Sequence, residues 1–167
     1  MRPKSIAAHD PGEGFHTPSG CVNPALVRAY DLRGEVGTTL TPADARALGR
    51  AYADAVAPGS RVAVGQDGRL SSPALAAALV EGLVAGGLSV ARIGQGPTGM
   101  LYHAVHAHDL AGGIMVTGSH NPPDQNGFKL LVGREPVFGP ALAELAVHGE
   151  RSFERLDPNR DRQRDSA

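Results

Sequence analysis

Two predicted helices that each begin at a proline constrain this chain more than any other feature. Each helix is followed by a short predicted strand that contains β-branched residues. Thr41-Pro42 and Ser72-Pro73 each place a hydroxyl side chain before a proline, as at a typical N-cap and first helical position. Apolar residues then recur at steps of three and four, which predicts one buried face on each helix. Helices of about 12 to 16 residues between strands favour βαβ units and a parallel sheet covered on both faces.

The remaining segments extend this pattern towards the C-terminus. Strands are predicted at residues 61–65, 88–93, 111–116 and 128–132, with further helical patterns at 99–108 and 140–148. The last strand follows its predecessor after a connection too short for a parallel crossover, so we expect an antiparallel pair there. The expected fold class is α/β, a three-layer α/β/α domain with a mixed, mostly parallel sheet. The second helix is expected to bury Leu75, Leu79, Leu83 and Val84.

Composition limits the classes of partner. The formal net charge of -1 gives no overall attraction to nucleic acid or anionic membrane, so neither is expected as a partner. No apolar run approaches the roughly 18 residues that span a bilayer. The single Cys21 cannot form an internal disulfide, which favours a reducing, cytoplasmic location. We expect a disordered leader at residues 1–22, the α/β domain at 23–149 and a polar charged tail at 150–167.

The stretch from Gly112 to Lys129 is the candidate site. An apolar strand ends at Thr117-Gly-Ser-His-Asn-Pro-Pro, a polar turn in which Ser119 and His120 are adjacent. Ligands of open α/β sheets bind at the carboxyl ends of strands, which makes Ser119 a candidate nucleophile. An ordinary turn fixed by its prolines fits the pattern equally well. A serine hydrolase fits poorly, because the serine lacks the Gly-x-Ser-x-Gly elbow that leads into a helix.

Two cations are candidate companions of the serine. Arg33 lies with Tyr30 and Asp31 in a segment without periodicity, which predicts a loop, and an arginine there could bind phosphate through two parallel hydrogen bonds. Lys129 lies ten residues after Ser119 on the returning strand, from which it could reach the serine. Each could instead be an ordinary surface cation.

Two other groups leave their role open. Asp67 and Arg69 follow a predicted strand and could pair with each other or help to position the site. His103, His106 and His108 are spaced too irregularly for one metal-binding face of a helix. His106 is three positions after His103, but no third ligand is evident for this pair.

Three motifs resemble a known family. The sequence from Thr117 to Lys129, Thr-Gly-Ser-His-Asn-Pro-Pro-Asp-Gln-Asn-Gly-Phe-Lys, is similar to the phosphoserine loop of the α-D-phosphohexomutases, especially the phosphomannomutase/phosphoglucomutase branch. Tyr30-Asp-Leu-Arg-Gly34 resembles the N-terminal motif of that branch, and Gly65-Gln-Asp-Gly-Arg-Leu-Ser71 resembles its second conserved loop. The motifs occur in the order of the family and span residues 30–129.

The resemblance implies a role for each candidate. Ser119 would be the phosphorylated nucleophile that exchanges its phosphoryl group with a hexose phosphate through a bisphosphorylated sugar. His120, Lys129 and Arg33 would stabilise charge and transfer protons, and Tyr30 would line the substrate cleft. Mg²⁺ would be the cofactor, bound to Ser119 through its phosphate, and glucose 1,6-bisphosphate the activator. Phosphoryl transfer depends mainly on positioning and cationic stabilisation, which these residue types can provide.

The resemblance also implies what the chain lacks. The family enzyme has four domains, and this chain resembles the N-terminal one alone. The Asp-Gly-Asp magnesium loop, the sugar-recognition loop and the distal phosphate loop belong to the later domains, so Mg²⁺ would keep only its serine ligand here. One oxygen ligand is too few for tight Mg²⁺ binding. We therefore expect a phosphohexomutase domain that is inactive alone. The alternative is a non-catalytic truncated domain that binds sugar phosphate or a partner chain supplying the missing domains.

Overall fold

The computed structural model describes residues 22–147 of the chain. The predicted leader and the predicted tail lie outside this range, apart from Val22. Val22 is fully buried in the hydrophobic core.

Six strands and four α-helices follow one another along the described chain. In chain order they are a 3-10 turn at Pro24–Leu26, β1 at Leu32–Glu35, α1 at Pro42–Asp54, β2 at Arg61–Gln66, α2 at Ser72–Ala85, β3 at Ser89–Gln95, α3 at Gly99–Ala107, β4 at Gly112–Val116, β5 at Gln125–Val132, β6 at Glu135–Pro136 and α4 at Gly139–Val147.

The strands form one mixed sheet in the order β1-β5-β4-β2-β3, with β6 paired to β5. Strand β2 is parallel to β3 and β4, whereas β5 is antiparallel to β4, as predicted, and also to β1 and β6. The mixed α/β sheet is confirmed, but its antiparallel part is larger than predicted. The difference arises because β1 and β6 were not predicted as strands. Arg33 in particular lies in β1 and not in a loop.

The two long helices begin close to the predicted positions. The Thr41 hydroxyl caps α1, and the Asp44 carboxylate accepts a hydrogen bond from the Thr41 N–H at 2.8 Å, which completes a capping box. The N-cap of α2 is Ser71 and not Ser72 as predicted. Ser72 lies inside the helix, where its hydroxyl donates to Asp67 Oδ1 at 2.5 Å.

Apolar side chains cover both faces of the sheet, which confirms the three layers. Val62 and Val64 of β2 pack in the larger cluster with α1, α2 and α4. Ala63, between them, packs in a second cluster with α3. Alternate residues of a strand point to opposite faces, so this division follows from the pleat. Leu75, Leu79 and Leu83 of α2 are buried as predicted, but Val84 is 56% exposed because it lies beyond the edge of the apolar face.

Two loops meet at one edge of the sheet. Gln66 at the end of β2 is opposite Val116 at the end of β4, and the Asp67 N–H donates to the Val116 carbonyl at 2.9 Å. The segment after β2 therefore lies beside the turn that contains Ser119. Within residues 22–147, no helix is both long and apolar enough to cross a membrane.

Candidate active site at the serine turn

Ser119 lies at the tip of an irregular turn between β4 and β5. Ser119 is exposed. Its backbone φ of 51° lies in the left-handed region, which residues with a Cβ rarely adopt. The Ser119 N–H donates to the Thr117 hydroxyl at 3.0 Å, and the Asn121 N–H donates to the Gly118 carbonyl at 3.0 Å. The turn thus presents the serine to solvent in a defined and disfavoured backbone conformation.

The Arg69 side chain contacts the backbone of this turn at four carbonyl groups. Its Nη1 donates to the Pro122 carbonyl at 2.5 Å and the Gln125 carbonyl at 2.9 Å. Its Nη2 donates to the Asn121 carbonyl at 2.6 Å and the Ser119 carbonyl at 3.3 Å. The loop after β2 is therefore linked directly to the loop after β4.

Asp67 makes a second link between the same two loops. Its Oδ2 accepts from the Gly118 N–H at 2.9 Å, and its Oδ1 accepts from the Ser72 hydroxyl and from the Arg69 N–H at 3.1 Å. Burial raises the pKa of the Asp67 carboxyl, but these hydrogen bonds outweigh burial and hold the pKa below its ordinary value. Asp67 is therefore ionised at neutral pH.

A fully buried amide extends this network into β5. The Asn126 side chain donates to the Ser71 and Ser72 hydroxyls at 2.8 and 2.9 Å, and its Oδ1 accepts from the Gly127 N–H at 2.8 Å. Because the Ser72 hydroxyl in turn donates to Asp67, the start of α2 and the start of β5 are joined beneath the serine turn.

A second cluster contains the two predicted cations. Asp31 accepts from Arg33 Nε at 2.8 Å and Nη2 at 2.7 Å, and from Lys129 Nζ at 3.0 Å. The remaining Arg33 nitrogen, Nη1, donates to Asn121 Oδ1 at 2.5 Å. The Asp31 side chain is only 6% exposed, against 29% for each cation, so the carboxylate lies below two partly accessible positive groups.

An open cleft with a volume of ≈ 530 Å³ lies beside this cluster. Tyr30, Arg33 and Asn121 are among its lining residues. Tyr30 is 74% exposed, and its ring lies 6.2 Å from that of Phe138 at an interplanar angle of 42°. The cleft is thus lined by an exposed aromatic ring and by charged side chains of both signs, Arg28 and Arg33 with Asp31 and Glu35.

The structure brings the predicted residues together in two groups. Arg33, Lys129 and Tyr30 belong to the Asp31 cluster and its cleft, and Ser119 and His120 belong to the serine turn. Asn121 connects the groups, because it lies two residues after Ser119 and binds Arg33. His120 is exposed. Among the described residues, no side-chain hydrogen bond joins His120 or the Ser119 hydroxyl to Arg33 or Lys129.

Comparison with known proteins decides the family. Residues 24–145 match the phosphoglucomutase/phosphomannomutase, alpha/beta/alpha domain I family. The chain belongs to this family. It is 45% identical over 130 residues to a phosphomannomutase/phosphoglucomutase of Pseudomonas aeruginosa, in a match that covers 77% of this chain and 28% of that protein. It is 46% identical over 128 residues to a phosphoglucomutase of Neisseria gonorrhoeae, covering 75% of this chain and 28% of that protein.

A solved structure shows the same fold. The crystal structure of a phosphoglucomutase/phosphomannomutase family protein from Burkholderia thailandensis superposes with a TM-score of 0.67 at 38% sequence identity, covering 74% of this chain and 29% of that chain. The resemblance to domain I is confirmed. The chain spans about 28% of the length of the curated relatives named above.

Several residues of this candidate site could not be identified from the sequence. The sequence pattern indicates Asp31 only as a neighbour of Arg33, and it indicates no role for Asn121, Asn126 or Phe138. For Asp31 the available signal was its place inside the Tyr30-Asp-Leu-Arg-Gly34 motif. The contact between the rings of Phe138 and Tyr30 could not be predicted from the sequence, because a single aromatic residue forms no local pattern.

The residues described here do not form a magnesium site by themselves. Residues 22–147 contain no group of three or more His, Cys, Asp or Glu side chains close enough to hold a metal ion. Both oxygens of Asp67 accept hydrogen bonds from the turn and from α2, and those of Asp31 bind Arg33 and Lys129. Mg²⁺ requires several oxygen ligands, so the set in this phosphohexomutase domain does not fit it.

Proposed function

We propose that this domain supplies the phosphoserine of a phosphohexomutase, an isomerase that interconverts hexose 1-phosphates and hexose 6-phosphates by phosphoryl transfer. Ser119 is the phosphoryl carrier in this proposal. One observation above all supports it: an exposed serine in a left-handed conformation occupies a turn that Arg69 contacts at four carbonyls, next to a cleft lined by Arg33 and Tyr30. Disfavoured backbone conformations of this kind cluster at active sites and ligand clamps.

The transfer step uses groups of this domain. The Ser119 oxygen attacks the phosphorus of a bisphosphorylated sugar such as glucose 1,6-bisphosphate, and the bond from that phosphorus to the sugar oxygen breaks. The serine proton passes to a general base, for which the adjacent His120 is our candidate, and the sugar oxygen takes up a proton as it leaves. In the reverse step, the phosphoserine passes its phosphoryl group to the free hydroxyl of a hexose monophosphate. Interconversion results when the bisphosphorylated sugar reorients and returns its other phosphoryl group to Ser119.

Arg33 and Lys129 supply positive charge for this step. A guanidinium has five N–H donors, and Arg33 uses three of them within the described residues, two for Asp31 and one for Asn121. Lys129 uses one of its three donors for Asp31. The remaining donors are available to phosphate oxygens. Fixed cations of this kind stabilise the charge on a transferring phosphoryl group. Tyr30 lines the cleft in which the sugar would bind.

The length of the relatives favours a second candidate. Because the chain spans about 28% of their length, it can instead be a non-catalytic domain that binds sugar phosphate or a partner chain supplying the remaining domains. In either case we expect no mutase turnover by this chain alone. The named relatives include a phosphomannomutase/phosphoglucomutase and a phosphoglucomutase at almost equal identity, so the preferred hexose stays open.

Intact-mass measurement after incubation with glucose 1,6-bisphosphate tests the proposal. The wild-type chain should gain the mass of one phosphoryl group, and Ser119→Ala should gain none. Ser89→Ala removes a hydroxyl from the distant edge strand β3 and should react like the wild type. An unmodified wild-type chain that still shows sugar-phosphate binding in an NMR titration would favour the non-catalytic alternative. Acylation of Ser119 by a fluorophosphonate would instead indicate hydrolase chemistry.

A further inference from the structure

We infer that Arg69 is a positioning residue that sets the backbone of the serine turn and does not itself bind phosphate. This inference rests on the proposed role of Ser119 as phosphoryl carrier. Arg69 lies outside the Asp31 cluster. Arg33 and Arg69 are both partly buried arginines next to the turn, but in this inference only Arg33 binds phosphate.

The hydrogen bonds of Arg69 occupy both of its terminal nitrogens. Its two terminal nitrogens carry four N–H groups, and these donate to four backbone carbonyls of residues 119–125. The fifth N–H belongs to Nε, which lies 3.5 Å from Asp67 Oδ2. Arg33, by contrast, has two uncommitted N–H groups within the described residues. A phosphate near the turn can therefore bind Arg33 without breaking a protein contact, but it can reach the terminal nitrogens of Arg69 only by replacing a bond to the turn.

Glycine at position 118 is matched to this guanidinium. A Cβ built on Gly118 would lie 2.1 Å from Arg69 Nε and 2.2 Å from Cζ, so the guanidinium lies directly against the glycine backbone. Asp67 fixes the same contact from the other side, because its Oδ2 accepts from the Gly118 N–H and lies close to Nε. Gly118, Asp67 and Arg69 together determine where the turn begins.

The contact with Ser119 explains why an arginine is needed. A left-handed φ is unfavourable for a serine, so bonds elsewhere must stabilise the turn around it. A planar guanidinium can reach four carbonyls at once, because its donors form a rigid fork. A lysine at this position would keep the positive charge, but its three donors at one nitrogen could not span residues 119–125.

Single-turnover transfer from glucose 1,6-bisphosphate to Ser119 tests the inference on the full 167-residue chain. Misplacing a reacting group by about 1 Å can cost about 100-fold in rate, so we expect a loss of this order in both Arg69→Ala and Arg69→Lys. The concentration of sugar bisphosphate that gives half the maximal rate should stay unchanged. Arg46→Ala removes another arginine that forms an ion pair, Arg46–Glu81 between α1 and α2, and should keep the wild-type rate. A raised half-saturating concentration with an unchanged maximal rate would overturn the inference, since Arg69 would then bind the substrate.

A double-mutant cycle separates positioning from a general loss of stability. Gly118→Ala should slow transfer strongly in the wild-type background, because its methyl group meets the guanidinium. In the Arg69→Ala background, the same substitution should cause little further loss, since the obstructing group is absent. Additive losses in the two backgrounds would contradict the proposed contact.

A second readout does not depend on the function of the serine. The ¹³C chemical shifts of Ser119 report its backbone conformation, and they should leave the left-handed range in Arg69→Ala and Arg69→Lys while the resonances of α1 and α2 keep their positions. If the wild-type chain accepts no phosphoryl group, the proposed function fails, but these shifts still decide the role of Arg69. Unchanged Ser119 shifts in both variants would overturn it.

Discussion

The ammonium nitrogen of Lys129 lies 3.0 Å from Oδ2 of Asp31, a residue 98 positions earlier in the chain. The register of β1 and β5 explains the pair, because Leu32 is opposite Phe128 and the next residues outward are Asp31 and Lys129. The same Oδ2 also accepts from Arg33 Nη2 at 2.7 Å. One buried carboxylate thus holds two cations side by side, where they would otherwise repel each other, and one of them, Arg33, lines the cleft.

Replacing Asp31 by asparagine should destabilise the fold. The substitution keeps the size of the side chain but removes the counter-charge of Arg33 and Lys129, so the free energy of unfolding should fall by about 1–3 kcal/mol. Urea unfolding followed by circular dichroism measures the change. Asp109→Asn is the control: Asp109 is 94% exposed in its ion pair with Arg134, and an exposed pair contributes about 0–1 kcal/mol. Equal effects of the two substitutions would contradict the structural importance of Asp31.

The ionised Asp67 should make stability depend on pH. Its pKa in the folded chain is below the ordinary value of 3.8, because hydrogen bonds from Ser72 and from two backbone N–H groups outweigh the effect of burial. Between the folded pKa and 3.8, the unfolded chain binds more protons than the folded chain, so stability decreases as the pH falls through this window. Above its pKa in the unfolded chain, Asp67 makes its full contribution to the free energy of unfolding.

Comparison with Asp67→Asn isolates this dependence. Urea unfolding between about pH 7 and pH 3 should show a constant difference between wild type and variant near neutrality. That difference should shrink as the pH falls below 3.8, because Asp67 then takes up a proton in the unfolded wild type while it is still ionised in the folded chain. A difference that stays constant over the whole range would show that the Asp67 carboxylate contributes no stability through its charge.

The sequence predicted the helices and central strands because their signals are local. The capping residue Thr41, the proline at position 73 and the apolar periodicity of α1 and α2 act within a few residues. β1 could not be predicted in this way. It has four residues, and it is a strand only because β5 pairs with it from almost a hundred positions away. The two-residue β6 likewise depends entirely on β5.

Sequence motifs indicate candidates for the site, as for Ser119, Arg33 and Lys129, and their roles stay predictions. The bonds that organise these residues were not predictable, because they follow from strand register and from side-chain geometry. Arg69 was recognised only as a residue that could pair with Asp67 or help to position the site. Its four bonds to carbonyls 50 to 56 positions later appear only when the two loops are placed side by side.

Gly127 should be needed for the contact between β1 and β5. A Cβ there would lie 2.1 Å from the Leu32 carbonyl oxygen and 3.2 Å from Arg33 Cγ, so Gly127→Ala must push the strands apart or displace Arg33. Overpacking of this kind costs about 1–3 kcal/mol, which urea unfolding can measure. The control is Gly99→Ala, since no atom lies within 4 Å of a Cβ at Gly99 in the first turn of α3. That variant should be no less stable than the wild type, and the prediction fails if Gly127→Ala is equally stable.

Arg33→Lys should impair phosphoryl transfer although the charge is kept. A lysine cannot reproduce the two parallel bonds to Asp31 together with the bond to Asn121, so the cation would lose its fixed position. Removing a preorganised donor of this kind costs about 100-fold or more in rate, which rapid-quench intact-mass measurement with glucose 1,6-bisphosphate can detect. Arg46→Lys makes the same exchange in the exposed pair with Glu81 and should leave the rate unchanged. Equal rates for Arg33→Lys and the wild type would remove Arg33 from the reaction.

The backbone of Ser119 gives a prediction that needs no assumption about function. Its φ of 51° is costly for any residue with a Cβ, by about 1–2 kcal/mol, whereas glycine adopts this region freely. Ser119→Gly and Ser119→Ala both remove the hydroxyl, but only alanine retains the steric conflict between its Cβ and the backbone. The glycine variant should therefore be the more stable of the two by about 1 kcal/mol, after allowance for the greater chain entropy of unfolded glycine. Urea unfolding of the two variants under identical conditions measures this difference. If the alanine variant is the more stable, Ser119 does not occupy the left-handed region in solution, and the argument that Arg69 maintains a strained turn loses its basis.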